Sequence, residues 1–264
     1  MIRKYLFLFI FFTTPLAFAQ TSRVVDVPTR SGVTQRFLLL QPEQNIKVKA
    51  TAILFAGGHG GLQMSPDGTM KDLRGNFLVR SRDLFAAQGL AVAVIDAPSD
   101  RQSFPHLNGF RQTADHVADV KAVIAWLKQE LKLPVWLIGT SRGTQSAAYI
   151  ATQIAPAAGG PDGVVLTSSI LVDQRGRPVP DMALDHINVP LLVTHHRLDS
   201  CRACSFSDLP RLTDKLKPLK KTEVMIFDGG SSVGDPCEAR AYHGYNGIET
   251  DVVTKIAAWI IGNS

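Results

Sequence analysis

Short apolar runs recur along the chain and are separated by longer segments with helical spacing. Runs without polar alternation are typical of strands buried on both faces of a sheet. The predicted strands cover residues 36–40, 51–55, 90–95, 134–138, 164–167, 191–194 and 223–227. Helices are predicted over residues 83–88, 113–131, 142–153, 209–217 and 248–261. This alternation predicts an α/β fold with a mostly parallel central sheet and helices on both faces.

The first nineteen residues have a different pattern. Arg3 and Lys4 precede an almost unbroken apolar run over residues 5–12, and residues 17–19 read Ala-Phe-Ala. This order of charge, apolar core and small residues is typical of a secretory signal. The run is shorter than the ~20 residues that span a bilayer, so we expect no stable membrane anchor after cleavage. The expected mature chain is a single domain, residues 20–264, in the periplasm or secreted.

Composition and charge argue against nucleic acid as a partner. The formal net charge is +5, and +3 once the two basic residues of the leader are removed. The densest group of lysines, within residues 215–221, is explained by a solvated surface. The exported part carries three cysteines in a setting where disulfides are permitted, and the odd number leaves one cysteine over.

The clearest candidate for chemistry is the segment 139–143, Gly-Thr-Ser-Arg-Gly, between a predicted strand and a predicted helix. Ligands of parallel sheets bind at the carboxyl ends of the strands, which is where this segment lies. Gly-x-Ser-x-Gly in this setting resembles the nucleophile elbow of the α/β-hydrolases, a tight turn that exposes the serine oxygen. An ordinary strand-to-helix turn is the alternative. We therefore predict that Ser141 is a nucleophile.

A serine hydroxyl needs a general base, and the base needs an acid that fixes its tautomer. In the α/β-hydrolases these follow the serine in the order acid, then histidine. His243 is the one histidine after the last predicted strand, so the resemblance implies that it is the base. Asp199 follows the strand at 191–194 and is the preferred acid. Asp173 and Asp208 are the alternatives, and Asp208 is also a candidate N-cap of the next helix.

The oxyanion formed on attack requires preorganised N–H donors. One is expected to be the backbone N–H of Arg142, directly after the nucleophile. The other is expected from the glycine loop, residues 57–61, Gly-Gly-His-Gly-Gly, where small residues allow close approach to a substrate. Gly58 and His59 both remain candidates for that donor. We expect the Arg142 side chain to pair with a nearby carboxylate and brace the elbow, and recognition of an anionic substrate is the alternative.

The resemblance to the α/β-hydrolases extends over nearly the whole mature chain. It rests on residues 55–61, the elbow, Asp199 and His243, and is closest to small secreted bacterial members of the dienelactone-hydrolase and esterase-like groups. It implies a serine hydrolase that cleaves an ester or related bond of a small-molecule acyl substrate through an acyl-enzyme, with no cofactor. The short polar connection at 171–188 predicts a small or absent cap. Ala56 stands where many relatives carry histidine, which leaves the substrate open.

A disulfide is expected to join the acid loop to the histidine loop. Cys201 and Cys204 follow Asp199, and Cys237 precedes His243. Because the acid and the base must meet, the loops that carry them are expected to be neighbours. Cys204–Cys237 is the preferred pair, since Cys201 is so close to the acid that we expect it to turn with the catalytic loop. Pairing of Cys201 with Cys237, or a local Cys201–Cys204 bridge, remains open.

Two other functions remain open. A Cys-x-x-Cys at 201–204 in an exported chain fits a thiol–disulfide protein, although the surrounding thioredoxin-like pattern is missing. A hydrolase fold with an inactive site would serve as a binding protein. Histidines 59, 195 and 196 lack the spacing of a zinc site, so no metal is expected. A fluorophosphonate probe discriminates the functions, because it labels only an active serine.

Overall fold

A computed structural model describes residues 20–174 and 176–264, so the signal predicted at 1–19 lies outside the described residues. Within them, eight strands form one sheet in the order β1-β2-β4-β3-β5-β6-β7-β8. The strands are β1 (Thr21–Arg30), β2 (Val33–Gln41), β3 (Ala50–Phe55), β4 (Leu90–Ile95), β5 (Val135–Thr140), β6 (Gly163–Thr167), β7 (Leu191–His196) and β8 (Thr222–Phe227). The helices are α1 (Phe77–Arg80), α2 (Arg82–Ala87), α3 (Ala114–Leu131), α4 (Gly143–Gln153), α5 (Pro210–Leu216) and α6 (Glu249–Gly262).

The sheet is mostly parallel, as the sequence predicts. Strand β2 pairs antiparallel with β1 and with β4, and the pairs from β4 through β3, β5, β6 and β7 to β8 are all parallel. Every residue of β3 to β7 is buried, because these central strands are covered on both faces. Their continuous apolar sequences follow from that position.

Alternate residues of each central strand enter two separate core layers. Ile53 and Phe55 of β3 lie in the layer that includes buried side chains of α3, α4 and α5. Ala52 and Leu54 lie in the opposite layer, with buried side chains of α1, α2 and α6. Each fully buried side chain of this size contributes roughly 1.5–3 kcal/mol relative to exposure. The two layers hold the sheet rigid and leave its carboxyl-end loops to form a site.

Helix α1 was not predicted, and two further details differ from the sequence prediction. Strand β1 was not predicted, because it is an edge strand with mostly polar, exposed positions, and only Val25 and Val27 are buried. Helix α5 begins at Pro210 with Leu209 as its N-cap, so Asp208 is not the cap. Asp208 instead ends a short 3₁₀ turn, Phe206–Asp208, that precedes the helix.

The connection from β6 to β7 contains only 3₁₀ turns, Val179–Asp181 and Leu184–His186, in the part that the structure describes. This agrees with the small cap that the sequence predicts. No helix in the described ranges combines the length and the apolarity needed to cross a bilayer.

Candidate active site

Ser141 lies at the tight turn between β5 and α4. Its φ angle is 52°, in the left-handed region that a residue with a side chain adopts only at a cost. A Cβ atom at Gly139 would overlap the backbone of Gly143, and a Cβ at Gly143 would overlap the Phe55 carbonyl group. Both glycines of the motif are therefore required for the chain to turn this sharply. The result is a strained serine at the carboxyl end of the central strand.

Asp199 and His243 meet beside this turn. Asp199 follows β7, and His243 lies in the 3₁₀ turn Tyr242–Gly244. His243 Nδ1 lies 2.9 Å from Asp199 Oδ2, and both side chains are buried. Asp199 Oδ1 accepts a hydrogen bond of 2.9 Å from the backbone N–H of Cys201, and the His243 carbonyl accepts one of 2.8 Å from Ser168 Oγ. The carboxylate of Asp199 therefore holds the imidazole ring through Nδ1, and Nε2 is the ring nitrogen outside this contact.

Ser141 and His243 line one open cleft of about 600 Å³. Among the hydrogen bonds of the described residues, none joins Ser141 Oγ to His243. The Ser141 hydroxyl instead lies near the Cys204 thiol; burial raises the pKa of that thiol well above its ordinary value, and Ser141 has a smaller, lowering effect.

The alternative acids are placed differently. Asp173 accepts hydrogen bonds from Arg142 Nη1 and Nη2 at 2.8 and 3.2 Å, and from Gln145 Nε2 at 3.0 Å. The expectation that Arg142 pairs with a carboxylate is therefore confirmed, and that carboxylate is Asp173. Because Asp199 contacts the His243 ring, it is the carboxylate that the structure brings to the predicted base.

The glycine loop packs directly against the serine. A Cβ at Gly57 would lie 3.0 Å from Ser141 Cβ, and Gly58 has a φ angle of +54°. In the described ranges, the backbone N–H groups of Gly58, His59 and Arg142 make no hydrogen bond to another protein group. All three therefore remain available as donors. The structure keeps both Gly58 and His59 as candidates for the second donor.

The ring of His59 has a structural role at the rim of the cleft. Its Nδ1 accepts a hydrogen bond from the Gly61 N–H at 3.2 Å, and its Nε2 lies 3.2 Å from Asp72 Oδ2. The ring also stacks on His106, with the two centroids 4.6 Å apart. These contacts fix the tautomer with the proton on Nε2. The remaining lining mixes apolar and polar residues and includes side chains of both charges, among them Lys71, Arg74 and Glu238.

The disulfide joins the two expected loops but uses a different cysteine. Cys201, and not Cys204, is bonded to Cys237, with the Cα atoms 4.5 Å apart. The preference for Cys204 was wrong because the N–H of Cys201 is held by Asp199, in a tight turn beside the histidine loop. Cys204 is a buried free thiol.

One cluster of cysteine and histidine side chains has the residue types that bind metals. Ligand atoms of Cys201, Cys204 and His243 lie within 4.8 Å of one another. The Cys201 sulfur is in a disulfide, so it cannot act as the thiolate that binds metals. The cluster therefore does not fit a metal in this oxidation state.

Two functional neighbours were missed by sequence reasoning. Asp96, at the end of β4, accepts hydrogen bonds from the N–H groups of Leu62 and Met64 and so fixes the chain after the glycine loop. Arg111 binds the carbonyl groups of the glycine loop itself. Neither residue lies in a motif, because each acts on backbone groups that are distant in sequence.

Several solved structures share this architecture. No protein-family model and no curated protein matches the chain. A dienelactone hydrolase from Anabaena variabilis superposes with a TM-score of 0.63 at 17% identity, covering 92% of this chain and 98% of its own. An esterase from Pyrococcus furiosus has a TM-score of 0.65 at 12% identity, with coverages of 97% and 96%.

A further similar structure, from Xanthomonas campestris, is described as an α/β serine hydrolase without a lid. It has a TM-score of 0.54 at 18% identity, and the match covers 90% of this chain and 94% of the other. At identities this low the similarity shows a shared fold, and it extends over nearly the whole described chain. This chain has the α/β-hydrolase fold.

Proposed function

We propose that this protein is an exported serine hydrolase that cleaves an ester or related acyl bond. The observation that carries the proposal is the strained Ser141, at φ 52°, in one cleft with His243, whose ring contacts Asp199. The left-handed backbone of this serine costs conformational free energy, and strain of this kind clusters at functional sites. The names of the similar structures, a dienelactone hydrolase and esterases, support an ester as the first substrate class to test.

In the proposed reaction, Ser141 Oγ attacks the carbonyl carbon while His243 Nε2 takes the hydroxyl proton. Asp199 holds the opposite N–H of the ring and stabilises the imidazolium that forms. The developing oxyanion accepts hydrogen bonds from Arg142 N–H and from Gly58 or His59 N–H. His243 then donates its proton to the leaving alcohol as the acyl-enzyme forms. Water, activated by the same histidine, releases the acid and restores Ser141.

The proposed export rests on the leader pattern at residues 1–19 and agrees with a disulfide, which persists in oxidising compartments. The open cleft of about 600 Å³, with the charged side chains of Lys71, Arg74 and Glu238 in its lining, favours small acyl substrates over long lipid chains.

The thiol–disulfide alternative is disfavoured by the same contacts. Cys201 is bonded to Cys237, so residues 201 and 204 do not form the redox pair that this alternative needs. Burial raises the pKa of Cys204, which keeps it a thiol and a weak nucleophile.

The test is labelling with a fluorophosphonate probe, followed by a panel of p-nitrophenyl esters and peptide anilides. We expect the wild type to be labelled and to hydrolyse esters, and Ser141→Ala to do neither. A folded wild type that takes no label and cleaves no member of the panel would contradict the proposal and favour a binding protein. An insulin-reduction assay runs alongside, and activity there would favour the thiol–disulfide reading.

A further inference from the structure

Arg111 lies behind the glycine loop as a buried cation. Its Nη2 lies within hydrogen-bond distance of three successive carbonyl oxygens, those of Ala56 at 2.9 Å, Gly57 at 3.4 Å and Gly58 at 3.2 Å. Its Nη1 donates to Ser146 Oγ at 2.9 Å. The residue is only 4% exposed. One side chain thus gathers the carbonyl groups of the segment that packs against Ser141.

This guanidinium has no carboxylate partner in the hydrogen bonds and ion pairs of the described residues. Burial, with a smaller effect from the positive charge of Arg142, lowers the pKa of Arg111 to about 9. The other polar neighbour of Arg111 is His116, which is reached through Ser146 Oγ. Burial lowers the pKa of His116 to about 3. A buried charge without a counter-ion is destabilising. Stability alone therefore does not explain an arginine at this place.

The geometry of the peptide bond says what the arrangement achieves. In a trans peptide the C=O and the following N–H point in opposite directions. Carbonyl groups of Gly57 and Gly58 that point at Arg111 therefore direct the N–H groups of Gly58 and His59 away from it. Those N–H groups belong to the residues that line the cleft beside Ser141, whereas Arg111 lines a separate pocket of about 210 Å³.

The loop sequence is matched to this arginine. Gly60 has a φ angle of +78°, and a Cβ there would overlap Arg111 Nη2. Glycine at this position lets the guanidinium reach the carbonyl groups. A positive charge against a carbonyl also polarises the peptide and strengthens its N–H as a donor.

We propose that Arg111 is a positioning residue, which holds the glycine loop with its N–H groups aimed at the oxyanion. This inference rests on the proposed function, because the oxyanion arises only if Ser141 attacks an acyl group. Without Arg111, the peptide between Gly57 and Gly58 is free to rotate and to present its carbonyl oxygen to the site. The residue acts through the backbone and does not touch the substrate.

The experiment compares Arg111→Met and Arg111→Lys with wild type. Arg111→Met keeps the length of the side chain and removes every donor, so we expect kcat to fall roughly 100-fold, the effect of losing one oxyanion donor. KM should stay near the wild-type value, because the lost interaction is made in the transition state. Arg111→Lys retains a charge and donors, and it should recover part of the lost kcat.

Arg30→Gln is the matched control. It removes an arginine that bonds the fully buried Asp119 but does not touch the glycine loop. It should lower the melting temperature while leaving kcat at low temperature unchanged. An unchanged kcat in folded Arg111→Met, a loss confined to KM, or an equal kcat loss in Arg30→Gln would overturn the inference.

Crystal structures of wild type and Arg111→Met supply a readout that is independent of turnover. We expect the Gly57–Gly58 peptide to change orientation in the variant, and an unchanged peptide overturns the inference. If the wild type is neither labelled nor active, the proposed function fails, while the peptide orientation still decides the role of Arg111.

Discussion

The two flanks of Ser141 are held in place by different means. On the base flank, made of the Asp199 and His243 loops, a disulfide and a 2.9 Å carboxylate–imidazole contact fix the side chains. On the oxyanion flank, the glycine loop at residues 57–61, hydrogen bonds from Arg111 fix the backbone. One flank depends on the identity of its side chains, and the other on the direction of its peptides. The side chains of the base flank can be recognised from sequence, whereas the peptide directions of the oxyanion flank can be seen only in the folded structure.

The largest expected effect removes the residue that both flanks serve. Ser141→Ala should lower kcat by about 10⁶-fold, the loss found when a serine protease loses its nucleophile. Steady-state turnover on the best ester of the panel, with circular dichroism to check folding, measures this. Wild-type turnover in the folded variant would show that neither flank serves catalysis at this serine.

Substitutions of His243 and of Asp199 test the base flank alone. His243→Ala should be nearly as damaging as Ser141→Ala, and Asp199→Asn should cost about 10⁴-fold in kcat because the imidazole loses its fixed tautomer. The double variant should lose no more than His243→Ala does, since the two residues act as one proton-transfer unit.

Asp173→Asn is the matched control, because Asp173 accepts hydrogen bonds from Arg142, whereas Asp199 contacts the histidine. It should cost far less than Asp199→Asn. A reversal of these two losses would assign the acid to Asp173 and remove Asp199 from the base flank.

The covalent tie of the base flank is tested by Cys237→Ser. Opening a bridge with a sequence separation of 36 should lower the free energy of unfolding by about 3–4 kcal/mol in the chain-entropy model. Urea unfolding measures this, and reduced wild type should match the variant. The loss of kcat should be smaller than that of Arg111→Met, because the Asp199–His243 contact survives.

Peptide mapping under non-reducing conditions checks the pairing itself. It should recover Cys201 joined to Cys237, with Cys204 as the free thiol. A Cys204–Cys237 peptide would contradict the structure, and equal stability of oxidised and reduced wild type would remove the bridge as a source of rigidity.

A pH-dependent effect on stability concerns the buried network behind the oxyanion flank. Burial, and then the charges of Arg111 and Arg30, lower the pKa of His116 from 6.5 to about 3. The unfolded chain therefore binds a proton below about pH 6.5 that the folded chain does not bind. Stability from this group is present above pH 6.5 and is lost as the pH falls toward 3, by up to about 1.4 kcal/mol per pH unit.

Urea unfolding of wild type and His116→Gln between pH 7 and pH 4 measures the difference. The variant should lose less stability than wild type over that interval. Part of the slope should remain, because burial also lowers the pKa of His195 on the other flank. Parallel curves for the two proteins would show that His116 does not contribute.

Much of the fold followed from periodicity, since the central strands are buried and therefore apolar without interruption. The edge strand β1 was missed because half of its side chains face solvent and carry no comparable pattern. The candidate site divides in the same way. Ser141 and Asp199 carry chemical identity and closely follow strands, and His243 is the one histidine between the last strand and the closing helix, so their places could be inferred. The Cys201 pairing and Arg111 depend on the direction of single side chains, which no spacing encodes.

The backbone of Ser141 has a consequence for the history of such a protein. A left-handed residue with a side chain costs roughly 1–2 kcal/mol, and glycine there would remove that strain. Every folded molecule bears the strain, whether or not substrate is present. If the proposed function holds, selection for turnover and selection for a stable chain oppose each other at this one position. A lineage that no longer used the hydroxyl would become more stable by replacing Ser141 with glycine, so drift toward glycine at the elbow marks relatives that have abandoned the chemistry.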